Sequence, residues 1–245
     1  MRTTLRTLMM LAAAAPLVSA FADGFTVKRV PKEATITKYS MSVDFEVNGG
    51  QGHLQATVSE RILSVDKDGN FTVEQTQADA SGTFNSDKID TPARPAVTLT
   101  YKPNGQVTLI KDSNEAAAKN SFVEAASYRM ENLGDLIDPG KTVEPGDTWA
   151  AKIKGDKALG TIDANADYKL LAEEKIGDIN TLKIRATIKE ADGDRPAQND
   201  FTVWIDKVDG SMVQLEAKWT NAPFPGVSYP VTAVVKMSRL PQNSK

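Results

Sequence analysis

The stretch YKLLAEEKIGDINTLKIRATIKEADGDRPAQNDFTVWIDKVDGSMVQLEAKW, residues 168–219, decides the fold class of this chain. Apolar and polar residues alternate along its successive segments, and Gly-Asp or Asp-Gly pairs separate them. The apolar positions are Leu182, Ile184, Ala186 and Ile188, then Phe201, Val203 and Ile205, then Val213, Leu215, Ala217 and Trp219. Such alternation, bounded by turn residues, is typical of strands with one face on a core and one in water. The stretch therefore predicts an antiparallel β-sheet, but it indicates no chemistry.

The same alternation continues on both sides of this stretch. It first occurs at Ile36–Val47, which is followed by a glycine-rich hairpin connection at 49–52, and it ends at Val231–Met237. The phase slips between Glu60 and Leu63, which predicts a bulge there. About ten or eleven strands follow one another with short connections, so we expect them to pair as an antiparallel meander.

Two segments predict long loops. Residues 78–94 are rich in Asp, Ser, Gly and Thr, with room for one weak strand near Phe84. Residues 221–230 contain Pro223, Pro225 and Pro230. Clusters of such residues favour turns and irregular backbone. The sequence leaves open whether either loop acts as a lid.

One segment changes from strand spacing to helical spacing. Asp112 followed by Glu115 predicts a capping box at its start, and Asp138-Pro139-Gly140 predicts its end. Apolar residues lie three or four positions apart between these signals, at Ala118, Phe122, Ala125, Ala126, Met130, Leu133 and Ile137. We predict an amphipathic helix at about residues 113–137, which Gly134 can shorten or kink. Its apolar face should pack on the concave side of the sheet.

The first 22 residues have the pattern of a secretory signal peptide. Arg2 and Arg6 precede the mostly apolar run Leu8–Val18, and small residues suit cleavage after Ala22, or alternatively after Ala20. The alternative of a membrane anchor is disfavoured because a spanning helix needs about 20 apolar residues. We therefore predict a signal peptide at 1–22 and a periplasmic or secreted protein with no transmembrane segment in its mature chain.

Residues 23–245 are predicted to form a single β-rich domain. The fold class is mainly β: a curved antiparallel sheet, as a half-barrel or open barrel of about 10–11 strands, with one central amphipathic helix. The chain contains no cysteine, so we expect neither disulfides nor the lipidated cysteine of a bacterial lipoprotein. A mature chain of about 220 residues is long enough to be stabilised by its core alone.

Charge argues against nucleic acid as a partner. The net charge of −3 becomes −5 when Arg2 and Arg6 are removed with the signal peptide. Lysine and arginine are scattered along the chain, so no basic patch is predicted. The partners that remain are an apolar ligand or another protein of the cell envelope.

The sequence contains no recognisable catalytic or metal-binding motif. His53 is the single histidine and is best interpreted as a surface residue, and no Gly-x-Ser-x-Gly or phosphate-binding glycine motif occurs. Residues 66–70, DKDGN, resemble the start of a calcium loop, but their glycine comes too early, so a hairpin turn is predicted. We predict no enzyme, no cofactor and no metal. The 32 acidic residues cannot be paired into a site from sequence alone.

Large apolar side chains are the candidate ligand contacts. The predicted ligand-binding residues are Phe122 and Met130 on the helix and Trp149, Trp204 and Trp219 on strands. Core packing is the alternative interpretation for all five. Trp204 is out of phase with Phe201 and Val203, so it is either exposed or covered on a second packed face.

Several turn-strand motifs resemble those of uncharacterised exported bacterial β-proteins. They are Gly146-Asp147-Thr148-Trp149, Tyr168-Lys169-Leu170-Leu171, Glu174-Lys175-Ile176-Gly177, Trp204-Ile205-Asp206 before Asp209-Gly210, and Val65-Asp66-Lys67-Asp68-Gly69-Asn70. That group has no assigned activity to carry over. The architecture is also distantly similar to the half-barrel of periplasmic lipoprotein carriers and their outer-membrane receptors, which would imply a concave apolar surface for acyl chains.

These observations predict an exported, non-enzymatic binding protein for a lipid-like or otherwise apolar ligand held between sheet and helix. The alternative is a structural or interaction protein of the cell envelope with no small-molecule ligand. The interior distinguishes the two, because a carrier needs a cavity and a structural protein does not.

Overall fold

The computed structural model describes residues 24–91, 96–112, 121–157, 160–224, 227 and 229–241. The predicted signal peptide lies outside them. Strands make up 59% of the chain and form one open, curved antiparallel sheet of 12 strands, accompanied by a single helix in the described residues. This confirms the predicted fold class.

The strands and the helix have the following bounds. They are β1 Ile36–Val47, β2 Gly50–Val65, β3 Phe71–Phe84, β4 Asp87–Ile89, β5 Val97–Tyr101, β6 Val107–Asp112, α1 Ser121–Asn132, β7 Thr148–Ile153, β8 Ala164–Ile176, β9 Ile179–Glu190, β10 Gln198–Asp206, β11 Met212–Ala222 and β12 Val231–Arg239. The order across the sheet is β6-β5-β3-β2-β1-β12-β11-β10-β9-β8-β7, and β4 pairs with β3.

The first and last strands pair at the middle of the sheet. β1 and β12 run antiparallel, with Tyr39 opposite Arg239 and Glu46 opposite Thr232. The two edges of the sheet are consequently β6 and β7, which are neighbours in sequence order. The chain between these edge strands has to pass across the open side of the curved sheet, and α1 is part of that connection.

Alternation along the strands places their apolar residues on the concave face. In β9 the side chains of Leu182, Ile184, Ala186 and Ile188 are almost fully buried. They belong to a large apolar cluster formed mainly by β7 to β12, whereas Ile62, Phe71 and Val73 form a smaller cluster on the other half of the sheet. Burying each large apolar side chain contributes about 1.5–3 kcal/mol, so the opening stretch supplies much of the core.

The predicted loop at 78–94 is wrong for most of its length. β3 continues to Phe84, and β4 then forms a short antiparallel pair with it, while residues 92–95 lie outside the described part. Phe84 stacks on Phe45 across the sheet with ring centroids 6.2 Å apart. These rings lie over Gly50 and Gly52 of β2. Aromatic cover of strand glycines stabilises a sheet whose own sequence is polar.

The predicted helix is also wrong at its end, because α1 stops at Asn132 rather than at 137. Leu133 N still donates to Arg129 O at 3.2 Å, but the carbonyl groups beyond Asn132 accept from side chains of the sheet. Leu133 O accepts from Asn199 Nδ2 at 2.9 Å, and Tyr168 Oη donates to Asp135 O at 2.8 Å. Residues 113–120 of the predicted helix lie outside the described part.

The predicted bulge lies at the end of its expected range. The pairing of β2 with β3 shifts register between Ile62 and Ser64. Ile62 is buried and keeps the concave phase of β2, so the extra residue is Leu63, which is exposed.

The predicted loop at 221–230 begins two residues later than expected, because β11 ends at Ala222. Its described residues belong to no strand until β12 begins at Val231.

Candidate functional site

Residues 128–143, here called the crossing segment, pass from one edge of the sheet to the other. At the β6 edge, Tyr128 Oη accepts from Ile110 N at 3.0 Å and donates to Ile110 O at 2.9 Å. Asp135 Oδ2 accepts from Val107 N at 3.1 Å. These side chains satisfy peptide groups that an edge strand would otherwise leave unpaired.

The crossing segment is bound to the opposite half of the sheet as well. Arg129 forms a bidentate pair with Glu190 of β9, with Nε–Oε1 and Nη2–Oε2 distances of 2.6 and 2.7 Å. Trp149 of β7 donates from Nε1 to Ile137 O at 2.9 Å. The crossing segment is therefore held at both edges and lies over the concave face between them.

Gly105 lets the β5–β6 turn approach the crossing segment closely. Its φ is +90°, and a Cβ there would lie 2.3 Å from Leu136 O. Gly146, in the turn before β7, has a similar φ of +102° with nothing within 4 Å of a Cβ. The two glycines share the same backbone requirement and differ only in the close contact.

We expect Gly105→Ala to destabilise the protein more than Gly146→Ala. The left-handed conformation alone should cost about 1–2 kcal/mol in both variants. The clash with Leu136 should add about 1–3 kcal/mol in Gly105→Ala only. Urea unfolding of both variants measures the difference, and equal losses would show that the turn does not bear on the crossing segment.

A cavity of about 200 Å³ lies under the crossing segment, between the two apolar clusters. The part of its wall that comes from β10 and β11 is apolar. The lining consists of Val27, Lys28, Arg29, Glu60, Phe71, Tyr101, Asn104, Gly105, Glu131, Gly134, Asp135, Leu136, Asp138, Phe201, Val203, Ile205, Gly210, Met212 and Leu215. The cavity therefore joins an apolar wall to a group of ionisable side chains.

Three carboxyl groups of the lining differ in how they are bonded. Glu60 accepts from Arg29 Nη2 and from Gln75 Nε2, each at 3.0 Å. Asp135 accepts from Val107 N through one oxygen. The Glu131 carboxyl makes no hydrogen bond or ion pair with any described residue. The number of hydrogen bonds that each carboxyl group accepts from described residues therefore falls from two at Glu60 to one at Asp135 and none at Glu131.

Burial perturbs the acids of the crossing segment. It raises the pKa of the Glu131 carboxyl to about 7, and the nearby Glu60 carboxylate adds to this shift. Burial also raises the pKa of Asp135 well above its usual range, and the Val107 N–H opposes the shift only in part. Both shifts follow from placing a carboxyl group where its charged form is poorly solvated.

Comparison with known proteins identifies a fold and no family. No protein-family model and no curated protein matches this chain significantly. The chain is similar to a solved structure of lipovitellin, with a TM-score of 0.50 and 9% identity over 87% of this chain. It spans only 26% of the length of that protein. At this identity the likeness concerns the fold alone.

Two exported or lipoprotein-like structures are also similar, at lower TM-scores. One is an exported protein with a YmcC-like fold from Bacteroides fragilis (TM-score 0.37, 11% identity, 89% of this chain and 100% of that one). The other is the hypothetical lipoprotein YmcC from Escherichia coli (TM-score 0.34, 12% identity, 86% of this chain and 89% of that one).

Among the described residues, no helix has the length and apolarity needed to cross a membrane.

Of the five predicted ligand contacts, the four whose side chains are described do not line the cavity. Met130 and Trp149 are partly buried against the large apolar cluster, and Trp219 is buried within it. Trp204 is buried on the opposite face, where Lys183 lies over its ring and Glu174 accepts from its Nε1 at 2.8 Å. The side chain of Phe122 lies outside the described part. Contact of these five with a ligand stays a prediction.

The sequence analysis missed the acids of the cavity, although Glu60 left a signal. It follows Leu54, Ala56 and Val58 at intervals of two and precedes Ile62, so it occupies an inward position of β2. A charged residue inside an apolar alternation indicates a buried polar site. Glu131 and Asp135 gave no such signal, because four-residue spacing suits a solvated helix face.

The turn at residues 66–70 and His53 have the positions that the sequence analysis predicted for them. Asp66 accepts hydrogen bonds from the backbone N–H groups of Asp68 and Asn70, which closes the β2–β3 hairpin turn. His53 is half-exposed on β2, with Nδ1 2.6 Å from Asp44 Oδ1. Within the described ranges, no three histidine or acidic side chains are grouped so as to hold a metal ion.

Proposed function

We propose that this protein is an exported, non-enzymatic binding protein that holds an apolar ligand between the sheet and the crossing segment. The observation that carries the proposal is the cavity of about 200 Å³. Its floor is formed by Phe201, Val203 and Leu215 on the concave face. An apolar wall with a few polar groups at one end is the usual composition of a ligand site.

The size of the cavity limits what it holds in this conformation. An apolar cavity of about 150 Å³ is known to accept benzene, so this one accepts a ring or a short alkyl chain. Each methylene buried contributes about 0.8 kcal/mol. Sites for larger ligands measure about 300–1,000 Å³, so a full acyl chain would require the crossing segment to move away from the sheet.

Binding accounts for the lining better than catalysis does. Among the described residues the lining contains no histidine, serine or threonine, so it lacks the side chains that most often act as general base and hydroxyl nucleophile. Its acids are perturbed, as catalytic acids are, but polar groups at the end of an apolar site also orient a ligand. The fold shared with lipovitellin, a structure described by its lipid–protein interactions, is compatible with this role.

The proposed export rests on the amino-terminal pattern of Arg2, Arg6 and the apolar run Leu8–Val18. A leader of this kind would deliver the domain to the periplasm or the medium after cleavage. A ligand acquired there would be found with the protein isolated from that compartment.

The test is mass spectrometry of an organic extract of the mature protein, purified folded from a bacterial periplasm. We expect an apolar molecule in about stoichiometric amount. Leu215→Trp, which fills the cavity, should lose it. Val234→Trp should keep it, because Val234 is 37% exposed and is not part of the lining.

The outcomes separate the two roles predicted from sequence. An empty extract from folded wild-type protein would contradict a carrier and favour an interaction protein of the cell envelope. Equal amounts in both tryptophan variants would show that the molecule binds elsewhere. Circular dichroism of each variant confirms that it is folded.

A further inference from the structure

The cavity lining contains more acidic than basic side chains. It contains four acids, namely Glu60, Glu131, Asp135 and Asp138, against the two cations Lys28 and Arg29. The Arg29 guanidinium is already engaged, with Nη2 3.0 Å from Glu60 Oε2 and its centre 5.5 Å above the Phe71 ring. Lys28 is exposed to solvent. Among the described residues, the lining acids of the crossing segment therefore form no ion pair.

Two carboxyl groups at one end of the cavity retain unused acceptor oxygens. Asp135 is only 5% exposed, yet its Oδ1 has no hydrogen-bond partner among the described residues, since Val107 N bonds to Oδ2 alone. Both oxygens of Glu131 are also without a partner there. Both carboxyl groups line the cavity and their free oxygens are not sealed from it, so a donor bound in the cavity can reach them.

We propose that the ligand is an amphipathic cation with a primary ammonium group and a short alkyl or aryl body. The ammonium group lies between Glu131 and Asp135, and the body lies on Phe201, Val203 and Leu215. An ammonium has three donors and no acceptor, which matches the free oxygens. This inference rests on the proposed function and specifies the ligand class for the same cavity.

The same geometry disfavours anionic amphiphiles such as fatty acids. Their carboxylate would face uncompensated acids in a poorly solvated site, where like charges repel strongly. A neutral alcohol of the same length gains the apolar contacts without the ion pair. The three head groups therefore define an order of affinity: ammonium, then hydroxyl, then carboxylate.

Binding of the cation should also depend on pH. The groups that face the Glu131 carboxyl are Glu60 from β2, Tyr101 from β5, Arg29 from the amino-terminal residues and Asp135 from the crossing segment. The pKa of Glu131 is raised to about 7, so this group loses its charge as the pH falls below neutrality. An alkylammonium stays charged in that range, so its affinity should fall while that of the alcohol stays constant.

The test compares hexylamine, 1-hexanol and hexanoate by calorimetric or NMR titration of the mature protein at pH 8. We expect hexylamine to bind at least about tenfold more tightly than 1-hexanol, and hexanoate to bind most weakly. Glu131→Gln should reduce the affinity for hexylamine by about tenfold and change that for 1-hexanol by less than about twofold. Glu144→Gln is the matched control, because Glu144 is exposed and outside the lining.

The outcomes distinguish this inference from the proposed function. Binding of 1-hexanol with no preference for hexylamine, or a preference that Glu131→Gln leaves intact, would overturn the ammonium site and keep an apolar binding site. No binding of any of the three compounds would overturn both. The expected order, lost in Glu131→Gln and kept in Glu144→Gln, would support both.

Discussion

Replacing Arg129 with methionine is expected to lower the free energy of unfolding by about 3–5 kcal/mol. Arg129 is the partner of Glu190, whose side chain is only 2% exposed. Removing the guanidinium leaves a buried carboxylate whose single remaining donor among the described residues is Ala197 N, at 2.8 Å. Breaking one side of a buried ion pair costs far more than the pair contributes. Urea unfolding with a two-state fit measures the loss.

Two variants test this explanation. Lys154→Met removes the cation from another ion pair, at 2.7 Å from Asp163, but both side chains are at least half exposed. It should cost less than about 1 kcal/mol. The double variant Arg129→Met with Glu190→Gln should recover much of the loss, because the buried charge is gone. A loss in Arg129→Met no larger than that in Lys154→Met would show that Glu190 is not truly desolvated.

Replacing Glu131 with glutamine is expected to stabilise the protein at pH 8.5 by about 1–3 kcal/mol and to have little effect near pH 4. The pKa of this carboxyl is raised to about 7 in the folded state. The charged form is therefore disfavoured by folding. The cost is absent below the pKa of the unfolded chain, grows as the pH rises toward 7, and is constant above it. Glutamine carries no charge at any pH and avoids this cost.

The measurement is the difference in unfolding free energy between variant and wild type at several pH values. Groups remote from Glu131 titrate equally in both proteins, so the difference reports Glu131 together with Asp135 and Tyr101, whose pKa its charge raises. Glu144→Gln, at an exposed position, should show no such trend. A difference independent of pH would mean that the Glu131 carboxyl is well solvated. That result would also weaken the ammonium site proposed for the same group.

The sheet could be predicted from sequence because its strands alternate so regularly. β9 and β10 bury every second residue on the concave face, and nothing local competes with that pattern. β3 was missed beyond Gln77 because its residues there are mostly polar and are held in the sheet by pairing with β2. That pairing leaves no mark on the local composition, which indicated a loop instead.

The cavity could not be predicted because no single segment defines it. Glu60 comes from β2, Phe201 from β10, and Glu131 and Asp135 from the crossing segment, which passes between the two edges of the sheet. The helical spacing suggested that α1 continues to Ile137. Hydrogen bonds from Tyr168 and Asn199 override that local preference, and they also turn Asp135 toward the cavity. Of the cavity acids, only Glu60 could be recognised from the sequence, because it occupies an inward position of β2.

The pairing of β1 with β12 also bears on how fast and in what order this chain folds. Contacts such as that between Ser40 and Ser238 join residues 198 positions apart. Proteins dominated by such distant pairings fold slowly, in milliseconds to seconds or longer, because the chain must close large loops before it gains the contacts. β1 has no partner on that side until β12 has been synthesised, so the centre of the sheet forms only after the strands of both halves have left the ribosome.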